Sequence, residues 1–302
     1  MSELILHQYP MSPFAEKIRL IMGYKQLPWQ SVTIPVVMPK PDLVALTGGY
    51  RRTPVLQIGA DIYCDTALIA EILDKLHPAK SLFPQSVAGA ARLLAQWADT
   101  TLFWTAIPYC LQPAGFQEMF GKAPPEVAKA FGADRSAMRA GAKSISLDEA
   151  SASLPEYLAR LDHMLAATGA FLLGDIPSIA DFSVCHIIWF INRFTTLNQI
   201  LQEPPHLLPW FARMQAFGHD QVQEMSSEHA LQVARESASK FATADGNGKL
   251  IAVTPSDYAL DPVEGELVLD APNHIALQRE DARAGTVVVH FPRIGFRVTY
   301  PE

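Results

Sequence analysis

Along residues 4–77 the hydrophobic pattern switches repeatedly between a period of two and a period of 3.6. Leu4–His7 is a short apolar run, and Pro13–Lys25 carries Ile18, Leu20 and Ile21 at helical spacing. Pro13 falls in the first turn of that helix, where its missing N–H leaves no bond unmade. Trp29–Ile34 alternates as a second strand, and Pro35, Pro39 and Pro41 mark the following stretch as a loop. Pro54–Ile58 and Asp61–Cys64 read as a hairpin around Gly59-Ala60. Asp65–His77 sets Leu68, Ile69, Ile72, Leu73 and Leu76 on one helical face. The order β-α-β then β-β-α predicts a small α/β layer.

From Ala88 to Phe241 the period is helical throughout, with helices expected to begin near Ala88, Pro124, Glu149, Ser178, His206 and His219. Trp97, Phe103, Trp104 and Tyr109 fall on one long helix. After Asp245-Gly246-Asn247-Gly248 the period returns to two. Leu250–Val253, Glu266–Leu269, His274–Gln278, Thr286–Phe291 and Phe296–Thr299 predict a small antiparallel β appendage of about five strands. The expected division is 1–78 (α/β), 88–241 (all-helical) and 245–302 (β), with a Pro-containing linker at 77–87.

Composition narrows the function classes. A net charge of -7 without any Lys/Arg run argues against a nucleic-acid surface. Cys64, Cys110 and Cys185 lie far apart, which suits a reducing compartment, so a cytoplasmic protein is expected. The most apolar run, residues 182–194, contains His186, Asn192 and Arg193 and is too short to span a bilayer. The nine histidines show no metal-ligand spacing, and no metal is expected. Gly48-Gly49 is not followed by the Lys-Ser/Thr of a phosphate loop.

Four short segments carry candidate chemistry. Ser12-Pro13-Phe14-Ala15 sits at the first strand-to-helix turn, where a thiol-disulfide protein of this layout would hold Cys-x-x-Cys. With serine and alanine there, no disulfide can form. Ser12 is either an ordinary N-cap or a hydroxyl donor to another molecule's thiolate. Arg52-Thr53-Pro54-Val55 puts a proline at the head of a strand; if that bond is cis, the Thr53 main chain can pair with a peptide-like ligand. Asp65-Thr66 opens a helix, and reads as an N-cap or as a site for a ligand's ammonium and carboxylate groups. Ser178-Ile179-Ala180-Asp181 precedes an apolar run as a capping box and has a structural role.

In order and spacing these segments resemble the cytosolic glutathione transferases over about residues 1–240. Gly174-Asp175-Ile176-Pro177-Ser178-Ile179-Ala180-Asp181 matches that family's G-D-x-P-[ST]-x-A-D folding motif and is the most specific of the four. The resemblance implies a thioredoxin-like domain followed by an all-α domain, here with the β appendage added. It also implies glutathione as co-substrate and a homodimer. In serine-type classes the residue matching Ser12 activates the sulfur; Tyr9 is the runner-up, one position from where tyrosine-type classes carry theirs. Thr53, before Pro54, would pair with the cysteinyl backbone. Asp65 and Thr66 would take the γ-glutamyl end, and Arg52 or Lys40 the glycyl carboxylate. Met11, Phe103, Trp104 and Ile107 are expected to border the pocket for a hydrophobic electrophile. The activity implied is thiol conjugation in detoxification. The same site could instead serve an isomerase, peroxidase or dehalogenase, or a non-catalytic glutathione-binding protein.

Overall fold

A computed structural model describes residues 3–140, 142, 144–242 and 248–300. Its N-terminal layer is thioredoxin-like: β1 (Ile5–Gln8), α1 (Pro13–Lys25), β2 (Trp29–Thr33), α2 (Pro41–Thr47), β3 (Val55–Ile58), β4 (Asp61–Cys64) and α3 (Thr66–Leu76). β2 runs parallel to β1, while β3 pairs antiparallel with β1 and β4 with β3. Alternation along the strands divides the side chains between two cores. Leu6, Leu56 and Tyr63 meet Ile18, Ile21, Leu68 and Leu73 of α1 and α3. Ile5, Val55, Ile62 and Cys64 meet Leu43 and Leu46 of α2 on the other face.

The segment expected to be a Pro-rich loop contains α2. Pro41 stands in its first turn, a position that tolerates proline, and Gly48 closes it at φ 74°.

The helical part follows as α4 (Ala88–Trp97), α5 (Phe103–Cys110), α6 (Pro113–Phe120), α7 (Pro125–Met138), α8 (Leu147–Thr168), α9 (Ile179–Asn192) and α10 (Leu207–Gln215). The single long helix expected around Trp97 and Phe103 is α4 and α5 joined through a π-helical turn, Ala98–Leu102. Such a turn inserts an extra residue into the helical repeat. α9 is buried on nearly every side. The Asp181 carboxylate in its first turn accepts from Ser178 N–H (2.9 Å), Leu172 N–H (2.8 Å) and Trp210 Nε1 (3.0 Å).

Two elements depart from the helical pattern expected up to Phe241. β5 (Val222–Glu224) pairs parallel with β2, and the helix expected from about His219 starts later, as α11 (Ser227–Glu236). All three β5 residues are exposed, so no hydrophobic period announced the strand. α11 lays Ala230, Leu231 and Ala234 on the core that α2 covers.

The five C-terminal strands are β6 (Leu250–Pro255), β7 (Val263–Asp270), β8 (His274–Asp281), β9 (Gly285–Pro292) and β10 (Phe296–Thr299). They are antiparallel among themselves. β9 then pairs parallel with β4, in the register Asp61↔Val288 to Tyr63↔His290. The result is one sheet of ten strands in the order β10-β6-β7-β8-β9-β4-β3-β1-β2-β5. Buried polar groups pin the seam. His290 Nε2 lies 2.9 Å from Asp61 Oδ1, His274 Nε2 lies 2.9 Å from His290 Nδ1, and Ser239 Oγ donates to Asp61 at 2.6 Å.

Candidate active site

Two adjoining cavities open where the N-terminal layer meets the helices. The larger, about 280 Å³, is lined by Arg52, Thr53, Pro54, Asp65 and Thr66. The smaller, about 150 Å³, is lined by Tyr9, Met11, Ser12, Lys40, Phe103, Trp104 and Ile107. Phe14, Arg52, Thr53 and Tyr258 border both. The residues singled out for the thiol peptide and for the electrophile therefore line one divided groove, while Ser178 and Asp181 lie apart from it at the head of α9.

Ser12 is the N-cap of α1 and is 2% exposed. Its oxygen accepts from Ala15 N–H at 3.2 Å, which leaves its O–H free to donate. The first turn of a helix adds a partial positive charge at the same spot. Tyr9 faces the smaller cavity too, but its hydroxyl oxygen accepts from Arg135 Nη2 at 3.2 Å. The Thr53–Pro54 bond is cis. Thr53 Oγ1 accepts from Lys40 Nζ at 3.4 Å, and the Lys40 ammonium stands 5.7 Å from the centre of the Tyr9 ring. Lys40 is 4% exposed, and burial lowers its pKa to about 8, with Arg135 and Arg51 nearby acting in the same direction.

Asp65 adopts φ 75°, a positive value uncommon in non-glycine residues. Its carboxylate caps α3 by accepting from Ala67 N–H at 2.9 Å. Burial raises the Asp65 pKa against the opposing pull of that N–H and of Arg52. Behind Thr66 sits a buried ion pair. Lys17 Nζ lies 2.6 Å from Asp99 Oδ2 and donates to Thr66 Oγ1 at 3.2 Å. Asp99 also meets His186 Nε2 at 3.0 Å and Ser183 Oγ at 3.3 Å. Burial pushes the Asp99 carboxyl up, but Lys17 and His186 together hold it below the usual carboxylate range. The π-helical turn places Asp99 here.

Arg52 is engaged within the chain. Its guanidinium pairs with the Asp257 carboxylate and the Tyr258 carbonyl, and approaches Asp65 Oδ2 at 3.9 Å. The guanidinium carbon stands 3.8 Å from the centre of the Tyr258 ring. Sequence reasoning missed Lys17, Asp99, Asp257 and Tyr258. Lys17 shares α1 with Glu16, Arg19 and Lys25, and Asp99 stands beside two threonines, so neither stood out in the sequence. The last two lie in a loop whose pattern pointed nowhere.

The three cysteines are buried away from this groove, and burial raises each thiol pKa well above its ordinary value. Among the described residues no cluster of His, Cys, Asp or Glu could hold a metal ion, and no helix is long and apolar enough to cross a membrane.

The family model for the glutathione S-transferase N-terminal domain matches residues 6–81, and that for the glutathione S-transferase C-terminal domain matches 145–213. A solved structure of a GST-like protein from Pseudomonas syringae is 40% identical, with 100% of each chain covered and a TM-score of 0.81. The chain belongs to the glutathione S-transferase family, whose members use glutathione as co-substrate, and that membership supports a glutathione-related transferase activity. A Tau class glutathione S-transferase from mango (Mangifera indica) shares the fold at 16% identity, with a TM-score of 0.53 over 71% of this chain and 89% of its own. Pyrimidodiazepine synthase of Drosophila melanogaster is 31% identical over 87 residues, 27% of this chain and 35% of that protein. The chain thus spans about a third of that relative's length.

Proposed function

We propose that this protein conjugates glutathione to hydrophobic electrophiles, with Ser12 as the group that activates the sulfur. The observation that carries this reading is the placement of Ser12. A hydroxyl with its O–H unspent sits at a helix N-terminus, on the wall of an apolar cavity that adjoins the one holding Asp65 and Thr66. A free thiol has a pKa near 8.5, so little of it is thiolate at neutral pH. One hydroxyl donor and a helix N-terminus together lower it by about one to two units, at about 1.4 kcal/mol per unit.

In this reading the peptide lies along the divided groove. Asp65 receives the ammonium and Thr66 the carboxylate of the γ-glutamyl end, with Lys17 and Asp99 holding Thr66 in place from behind. The main chain of Thr53, before Pro54, pairs with the central residue. Lys40 meets the glycyl carboxylate. Arg52, already paired with Asp257, shapes the wall instead of serving as a free cation. Met11, Phe103, Trp104 and Ile107 receive the electrophile beside the sulfur, so the thiolate attacks within a dry, low-dielectric space. Detoxification, a cytoplasmic setting and a homodimer belong to the same proposal.

Ser12→Ala tests it, measured by kcat/KM with a small electrophile panel and by the thiolate absorbance of bound glutathione across pH. The expected result is a loss of roughly 10- to 25-fold in rate near neutrality, the change in thiolate fraction at about pH 7 for a pKa one to two units lower, and a titration moved toward that of free glutathione. A loss confined to Tyr9→Phe would transfer the role to Tyr9. An unchanged rate and thiol pKa in Ser12→Ala would end the role of Ser12.

A further inference from the structure

The loop between β6 and β7 reaches from the C-terminal strands to the groove, and it is pinned at several points. Ser256 N–H donates to Gly295 O at 2.9 Å, and Ala259 N–H donates to Met138 O at the end of α7 at 2.7 Å. Arg52 grips Asp257 and the Tyr258 carbonyl. Ala259 is held at φ 50°, a left-handed conformation in a residue with a side chain. Strain of this kind persists where the surroundings over-determine the backbone, often at ligand sites.

Those anchors fix one side chain. The Tyr258 ring lies on the Arg52 guanidinium at 3.8 Å and meets Trp104 edge-on at 5.0 Å and 83°. It borders the cavity of Asp65 and Thr66 as well as the cavity of Ser12. Its hydroxyl has no hydrogen-bond partner among the described residues and is not among the sealed, unpartnered polar atoms of the interior. A phenol whose ring is clamped on two sides, whose O–H is unpartnered and whose side chain lines both cavities is a preorganised donor.

We propose that Tyr258 is a ligand-contacting residue of this active site: its ring forms the wall between the thiol-peptide cavity and the acceptor cavity, and its hydroxyl donates to a peptide oxygen of the bound thiol. This rests on the glutathione reading given above. Burial keeps the phenol protonated by raising its pKa to about 12, against the lowering pull of Arg52, so it remains a donor throughout the neutral range. The C-terminal strands are then part of the active site, because they carry this wall.

The test is calorimetric titration of the full-length protein with reduced glutathione and S-hexylglutathione, comparing wild type with Tyr258→Phe and Tyr258→Ala, alongside their thermal melts. Tyr258→Phe keeps the ring and removes only the donor, so it is expected to melt as wild type does and to bind both ligands several-fold more weakly. Tyr258→Ala is expected to lose about tenfold or more for both. Wild-type affinity in Tyr258→Phe together with wild-type affinity in Tyr258→Ala would overturn the inference and leave the glutathione reading standing. Wild-type protein that binds neither ligand would overturn both. Weakening in Tyr258→Ala alone, fully rescued in Tyr258→Phe, would overturn the hydroxyl contact and assign the wall to the ring.

Discussion

The two halves of the ten-stranded sheet are built under different rules. Strands β1, β3 and β4 are buried on both faces, with α1 and α3 on one side and α2 on the other. The C-terminal strands share the second of those cores without interruption: Ile251, Val263, Leu277, Val289 and Phe291 join Ile5, Val55 and Ile62. On the opposite face Val268, Ala276 and Val288 form a small apolar cluster beside the buried His274 and His290. β10 accordingly alternates between exposed and half-buried positions, unlike β4. The N-terminal half is held from both sides, while the C-terminal half is held by one shared face and by its seam with β4. Each half needs the other: β4 would otherwise present an unpaired edge, and the core under α2 and α11 would be cut through its middle.

The largest break in this comparison is deletion of 245–302. It should expose the edge of β4 and the shared core together, and give aggregated protein or loss of the cooperative melt, as read by size-exclusion chromatography and circular dichroism. A soluble product melting as wild type does would show that the N-terminal half stands alone. A finer contrast sets Phe291→Ala against Val268→Ala. The first opens a cavity in the shared core and should cost about 3–5 kcal/mol, the second roughly 1–2 kcal/mol in the small cluster. Denaturant unfolding separates them, and equal costs would mean that the two faces hold the C-terminal strands equally.

Acid sharpens the comparison at the smallest scale, because each half buries a neutral histidine. Burial lowers the pKa of His7 in β1 to about 4, with its Gln57 bond opposing the shift, and lowers that of His274 in β8 to about 4, with His290 adding to the effect. An unfolded histidine titrates near 6.5. Between pH 6.5 and 4 the unfolded chain therefore holds more protons than the folded one, and stability falls as pH drops through that window. Melting temperature should decline from pH 7 to pH 5, and His274→Gln should flatten part of the decline. A profile unchanged by that substitution would assign the decline to the other buried histidines whose pKa burial lowers, His7, His186 and His290.

Much of this was readable from the chain. The β1–α1 turn with Ser12, the β3–β4 hairpin and the start of α3 at Asp65-Thr66 are local features, fixed by caps, prolines and strand period. What stayed hidden was non-local. A strand's sequence reports its burial and not its neighbour, so the five C-terminal strands were legible while the pairing of β9 with β4 was not. α2 was masked by three prolines, one of which opens it. β5 is exposed throughout and owes its existence to the free edge of β2. Tyr258 is brought to the groove by a loop whose course depends on that unseen pairing, and so the wall it forms could not be read in advance.

The β4–β9 register also sets a timetable for synthesis. Asp61 pairs opposite Val288, roughly 230 residues later in the chain. At the usual pace of about 5–20 residues per second, the nascent chain waits roughly 10–50 s for the strand that closes its first sheet. The helices from α4 to α10 leave the ribosome during that interval. The groove therefore takes its final form only after the last strands have emerged, because β9 and the loop that carries Tyr258 are made after every helix that borders it.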